Sequence, residues 1–280
     1  MKYTLCEVIN ESYAFIEELS TDEVRQLDNF HEQLFELRLY SVRQKAIELN
    51  IRDFIGKTEK YLQDYKSTTP ANLEEFHLIL TDINRLFTNI LASIDSYIES
   101  IRKRLERKYT KNSEEFKRFK LFLENLKAKH FSYRFFYCLR NYSLHFDLPL
   151  QDFRFNVGKK PNNQVDNMFI INFSKQRLLL DPLIKKNLAV DLRGYNDTFP
   201  IMPLLIDFQF RIEEIAEEIF KIEYPKYIEA AEYLESYVQK STYKKEILYG
   251  GDSDGKQVKY RVFGIDLIRK FYELKTKYIH

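Results

Sequence analysis

Residues 82–105, DINRLFTNILASIDSYIESIRKRL, place an apolar side chain at nearly every third or fourth position. Ile83, Leu86, Phe87, Ile90, Leu91, Ile94, Tyr97, Ile98, Ile101 and Leu105 all fall on one helical stripe. No glycine occurs in residues 57–157 and no proline in residues 71–148, so nothing there breaks a long helix. The spacing predicts one helix from 71 to about 107, entered through the short linker Lys66-Ser67-Thr68-Thr69-Pro70. A second stripe of small or polar residues, Asn89, Ser93, Ser96 and Ser100, runs beside the apolar one. Such a stripe usually faces water, but small side chains also leave room for a cleft beside a partner helix.

On the C-terminal side, Lys111-Asn112-Ser113 supplies a turn and an N-cap, and Glu114 and Glu115 suit a first helical turn. From there to His145 the chain reads as a second long helix, or two in series, dense in Phe and Tyr. With no Trp in the chain, those rings must supply the large buried areas of a core. Asp147-Leu148-Pro149 stops the helix, because the residue before proline is pushed out of the α region. Residues 151–168 read as loop and residues 169–173 as a short strand or extended segment. Four breakers, Pro182, Gly194, Pro200 and Pro203, punctuate residues 181–203. An amphipathic helix follows over about 204–222, then Pro225 and another helix to about residue 240.

Residues 3–66 read as two or three helices, with Gly56 marking a helix end. In the tail, residues 246–249 and 258–263 flank a Gly-rich loop and read as a β-hairpin, with a closing helix over 265–279. The fold class is mostly α: a helical bundle over residues 70–240, an N-terminal helical extension over 1–69, and a small C-terminal β-hairpin plus helix over 241–280.

Composition excludes several functions. The 280 residues are 44% hydrophobic and 31% charged, a globular balance rather than a disordered or collagen-like one. Seven Gly and seven Pro argue against Gly-rich phosphate loops and turn-dense β-sandwiches. The chain has no G-x-G-x-x-G, P-loop, H-E-x-x-H or G-x-S-x-G. Cys6 and Cys138 form no metal-ligand spacing with the five histidines. Asp252 and Asp254 sit in a Gly-rich loop without the Glu of a Ca²⁺ loop, so an ordinary hairpin loop is expected. Neither a metal nor a cofactor is expected. The first residues do not read as a signal peptide. The most apolar stretch, residues 201–210, holds Asp207 and is about half the length that spans a bilayer. A cytoplasmic location is therefore expected.

Net charge is only +2, but its distribution is uneven. Residues 1–70 hold 13 acids and 9 bases, whereas residues 101–129 hold 11 bases and 4 acids. The basic run is either a solvated helix surface or a patch that tracks phosphates.

One constellation carries chemistry: Leu139-Arg140-Asn141-Tyr142-Ser143-Leu144-His145. On a helix Asn141 and His145 share a face, while Arg140 and His145 lie about 140° apart. A long Arg side chain, a π-bulge or a second copy across a two-fold axis would bring them together. Histidine can take the proton of a ribose 2′-hydroxyl or return one to the leaving oxygen. A guanidinium can hold the scissile phosphate by two hydrogen bonds and offset its transition-state charge. A lone His near a helix end more often caps or packs than catalyses, and spacing alone does not separate the two.

Arg140-Asn141-x-x-x-His145 resembles the R-(N/D/H)-x3-5-H signature of HEPN domains, an α-helical superfamily acting on nucleotides and RNA. The stretch Asp82-Ile83-Asn84-Arg85-Leu86-Phe87-x-Asn89-x-Leu91 is similar to the first long helix of an uncharacterised bacterial branch. Tyr133-Arg134-Phe135-x-Tyr137-x-Leu139-Arg140-Asn141-Tyr142-x-x-His145-x-x-Leu148-Pro149 is similar to its second. The resemblance covers about residues 76–220. It implies a four-helix-type bundle that pairs into a homodimer, with both motifs facing one cleft. The implied activity is that of a metal-independent endoribonuclease, a toxin or phage-defence effector controlled by an antitoxin or sensor protein. Arg140 and His145 would be the catalytic pair, and Asn141 would orient the phosphate or His145. Glu99 and, more weakly, Asn89 would support them, and Arg102, Lys103, Arg107, Lys108 and Arg134 would contact RNA. Members paired with a nucleotidyltransferase antitoxin carry a tyrosine two residues beyond the His. Asp147 stands there instead, so control by adenylylation at that position is not expected. The alternative reading is a non-catalytic helical dimer that binds RNA or a protein partner through the same cleft. A nucleotide-binding accessory is disfavoured by the missing phosphate loops.

Overall fold

Helices carry most of the chain, as the scarcity of glycine and proline requires. The computed structural model describes residues 3–279 apart from 11, 66–69, 71, 151, 160–164, 243–246 and 252–258. The order is β1 (Tyr3–Ile9), β2 (Ser12–Leu19), α1 (Thr21–Asp64), α2 (Leu73–Tyr109), α3 (Glu114–Lys129) and α4 (Phe131–His145). Then come β3 (Asp152–Lys159), β4 (Val165–Ser174), α5 (Lys175–Leu178), α6 (Pro182–Leu192) and β5 (Thr198–Pro200). The chain closes with α7 (Ile201–Val238), β6 (Ile247–Gly251), β7 (Lys259–Val262) and α8 (Ile265–Tyr278). Two compact units form: residues 1–42 with 217–280, and residues 43–216. No helix among the described residues is long and apolar enough to cross a membrane.

The first unit holds a four-stranded antiparallel sheet in the order β2-β1-β6-β7. Residues 3–19, expected to be helical, are a β-hairpin. Ile9 pairs with Ser12, and Asn10, next to Ile9, takes φ 48°, a region asparagine tolerates better than most residues. Val8, Ile9 and Ile16 are β-branched, and Tyr3, Tyr13 and Phe15 are aromatic, all types that suit a pleated surface. The expected C-terminal hairpin is present, and its strand β6 pairs with β1 from the other end of the sequence. Asp252 and Asp254 of its loop lie outside the described residues. Helix α7 runs on through Pro225, where two helices were expected. Burial of Phe220, Tyr227, Ala230 and Leu234 on both sides of the proline outweighs the hydrogen bond lost there.

In the second unit the apolar stripe of α2 is buried as the spacing predicts, from Ile83 and Phe87 to Ile101 and Leu105. Asn72 caps this helix by accepting from the Glu75 amide, and Ser113 caps α3 by accepting from the Phe116 amide. The aromatic run is two helices in series, broken at His130, whose backbone is extended. The Phe87 ring lies 5.5 Å from Phe54, 6.1 Å from Phe136 and 6.0 Å from Phe173, which joins α1, α2, α4 and β4 in one core. Residues 152–159 and 165–174, mostly read as loop, pair as an antiparallel hairpin, to which β5 adds a third strand. Asp181 caps α6, with Pro182 in its first turn.

Asn84 is buried on α2 and holds the chain just beyond α4. Its Nδ2 donates to the Leu150 carbonyl at 2.9 Å, and its Oδ1 accepts from the Leu150 amide at 3.0 Å. This pair of hydrogen bonds to the backbone fixes the exit of the motif helix. Gly56, expected to end a helix, lies inside α1, and a Cβ there would meet nothing within 4 Å.

Two stability changes follow. Asn84→Ala leaves the buried Leu150 amide and carbonyl without partners and should cost about 2–3 kcal/mol in urea unfolding. Gly56→Ala removes backbone freedom from the unfolded chain without a clash and should add about 0.5–1 kcal/mol. A neutral Asn84→Ala would mean that the loop is held by something else.

Candidate active site

The rotation of α4 is set by its buried side chains, Phe135, Phe136, Cys138, Leu139 and Tyr142. With these and Tyr133 turned inwards, Tyr137, Arg140 and Asn141 emerge beside α2. Arg140 Nη2 donates to Asp95 Oδ2 at 2.7 Å, and its Nη1 donates to Asn141 Oδ1 at 3.0 Å. The Arg140 and Asp95 side chains keep 36% and 32% of their surface in solvent. The guanidinium is therefore oriented on two sides without being sealed from a ligand.

Arg140 borders an open, polar cavity of about 580 Å³, with Asp95, Glu99 and Lys103 from α2 and Arg43 from α1 on its other walls. Arg43 Nη1 donates to Ser96 Oγ at 2.7 Å. The small-residue stripe of α2 thus lines a cleft at Ser96 and Ser100. Asn89 does not belong to it. Its side chain is exposed about 9 Å along the helix from Asp95, and its carbonyl accepts from Asn50 Nδ2 at 3.4 Å.

The acid that holds Arg140 is Asp95, one turn before Glu99. Glu99 lines the same cavity but accepts from Arg102, at 2.7 Å from Nη2 and 3.2 Å from Nε. That hydrogen bond, with the charges of Arg102, Lys103 and Arg140, holds the Glu99 carboxyl below the usual carboxylate range. The one sign of Asp95 in the sequence is its place four residues before Glu99, on the same helix face.

The expected RNA-contacting residues separate. Lys103 and Arg107 are exposed. Arg102 is engaged by Glu99 and, at 3.7 Å, by Glu106, and Lys108 lies 5.6 Å from the Tyr109 ring. Arg134 is built into the fold instead. Its side chain is 18% exposed, pairs with Asp191 at 2.8 Å, and donates to the Lys127 and Ala128 carbonyls at the end of α3. Those carbonyls have no partner within their own helix, so Arg134 serves as a C-terminal cap.

His145 is the last residue of α4 and is exposed, with no hydrogen bond or ion pair among the described residues. It does not line the Arg140 cavity. Within one chain the structure brings Arg140 and Asn141 together and leaves His145 apart, as the i, i+5 spacing implies. Asp147 is exposed and accepts from the Leu148 amide at 2.7 Å. Cys6 and Cys138 are buried free thiols, and burial pushes the Cys138 thiol up. Among the described residues, no group of three or more His, Cys, Asp or Glu is placed to hold a metal ion. No protein-family profile matches the chain, and no match to it is found among curated proteins or solved structures.

Proposed function

We propose that this protein is a metal-independent endoribonuclease of HEPN type that works as a homodimer in the cytoplasm. The observation that carries the reading is the Arg140 fork, oriented by Asp95 and Asn141 at an open cavity, on the same helix as the exposed His145. A guanidinium tied by one hydrogen bond at Nη1 and one at Nη2 keeps its remaining N–H donors for a phosphate. Lys103 and Arg43 add positive charge at the same cavity. Phe146 and Leu148, both about half exposed beside His145, offer apolar surface to a second copy. Pairing across a two-fold axis would set Arg140 of one protomer against His145 of its partner.

In that cleft His145 removes the proton of a ribose 2′-hydroxyl, and the oxygen forms a bond to the adjacent phosphorus. Arg140 takes up the charge that gathers on the phosphate. The bond from phosphorus to the 5′-oxygen breaks, and an imidazolium returns a proton to that oxygen. The products are a 2′,3′-cyclic phosphate and a 5′-hydroxyl. A toxin or phage-defence effector under an antitoxin or sensor protein is the role this chemistry would serve. The second reading is a non-catalytic dimer that binds RNA or a protein partner through the same cleft. It is favoured by Asp95 and Glu99, whose negative charges stand where an RNA phosphate would approach.

Purified wild-type protein should cleave RNA in EDTA and leave 5′-hydroxyl ends. Arg140→Ala and His145→Ala should each lower the rate by about 100-fold or more. Loss of cleavage in EDTA, 5′-phosphate ends, or equal rates for all three proteins would contradict the proposal.

A further inference from the structure

A second cavity, of about 420 Å³, opens between α2, α3 and α4. Phe116, Phe119 and Leu123 give it an apolar wall from α3, and Tyr133 and Tyr137 a phenolic one from α4. Glu99 and Tyr137 line both this cavity and the Arg140 cavity, so the two adjoin.

Two features point to a ligand. Tyr133 is only 4% exposed, and its hydroxyl, which keeps access to solvent at the cavity, has no hydrogen-bond partner among the described residues. One helical turn on, Tyr137 is 50% exposed, and its hydroxyl is likewise unbonded among the described residues. The second feature is charge. Lys127, at the rim, has its Nζ 4.3 Å from the Tyr137 ring centroid and no carboxylate partner among the described residues. Lys120 meets its nearest carboxylate, Glu124, only at 3.8 Å. The pocket therefore offers flat aromatic and aliphatic walls, two phenols able to donate or accept, and a rim of mixed charge, in which Glu99 and Glu124 pair with Arg102 and Lys120 while Lys127 is left for an anion.

We propose that this pocket is a nucleobase subsite, which takes the base next to the phosphate held at Arg140. This rests on the endoribonuclease reading. A base is flat and aromatic, with donors and acceptors along its edge, and it is joined to a phosphate that Lys127 can meet. Stacking on aromatic side chains is the sequence-tolerant way in which proteins hold single-stranded RNA. Tyr137, the shared wall, joins base binding to the phosphate site, and Tyr133 hydrogen-bonds the edge of the base.

The test is fluorescence-anisotropy binding of a labelled single-stranded RNA to the full chain carrying His145→Ala, which prevents cleavage. An RNA of the same length and charge with abasic positions is the comparison. The base-containing RNA should bind at least about fivefold more tightly than the abasic one. Adding Tyr137→Ala should weaken the base-containing RNA about tenfold, and adding Tyr133→Phe, which keeps the ring and the packing, about threefold. Tyr133→Phe should leave abasic binding unchanged, and Tyr137→Ala should weaken it far less than it weakens the base-containing RNA. Equal affinity for the two RNAs, or variants that weaken both alike, would overturn the subsite. Base-dependent binding by a wild-type protein that never cleaves RNA would support the pocket and reject the nuclease reading. Arg140- and His145-dependent cleavage without base-dependent binding would do the reverse.

Discussion

Helix α4 carries aromatic or aliphatic groups around most of its circumference, and burying them leaves it one outward strip. The Phe135 ring packs 4.9 Å from Phe173 and 5.9 Å from Phe199, while Phe136 packs 4.8 Å from Phe208. Turning the helix by one residue, about 100°, would expose one of these rings at a cost of roughly 1.5–3 kcal/mol. The core thus dictates where Arg140, Tyr137 and Asn141 emerge. Asn84 fixes the far end of the same segment through the Leu150 backbone.

The Arg140–Asp95 pair contributes little to stability. Both side chains are about one-third exposed, and pairs of that kind are worth about 0–1 kcal/mol. Its role is orientation: a carboxylate and an amide oxygen hold two nitrogens of the fork, and an incoming phosphate would meet the rest. Arg134 shows the opposite use of the same residue type. It is largely buried against Asp191 and two helix-end carbonyls, and it holds α3, α4 and α6 together. Six positions along one helix separate a structural arginine from a candidate catalytic one, and burial with four of five N–H donors engaged tells them apart.

Where side-chain periodicity or a local cap sets the structure, the sequence is easy to read. The stripe of α2, the Ser113 cap, the Leu-Pro exit and the C-terminal hairpin all belong to that class. Residues 3–19 do not. Leu5 and Cys6 are adjacent and both buried, so the alternation that marks a half-exposed strand is absent, and the partner β6 lies more than 230 residues away. Pro225 misleads because a local hydrogen-bond loss is outweighed by packing on either side. At the site, Asp95 and Glu99 share a face and a charge, and only the packing of α2 on α4 selects which one meets Arg140. The phenol pair of Tyr133 and Tyr137 reads as core in a run so rich in rings, and only the cavity beside α3 distinguishes it.

The central proposition is that Arg140 of one protomer and His145 of its partner share a reaction cleft. Mixing Arg140→Ala and His145→Ala chains under conditions where subunits exchange tests it directly. The two inactive proteins together should regain about a quarter of wild-type cleavage, since half the dimers are mixed and each carries one complete cleft. Mixed dimers that form and remain inactive would contradict it.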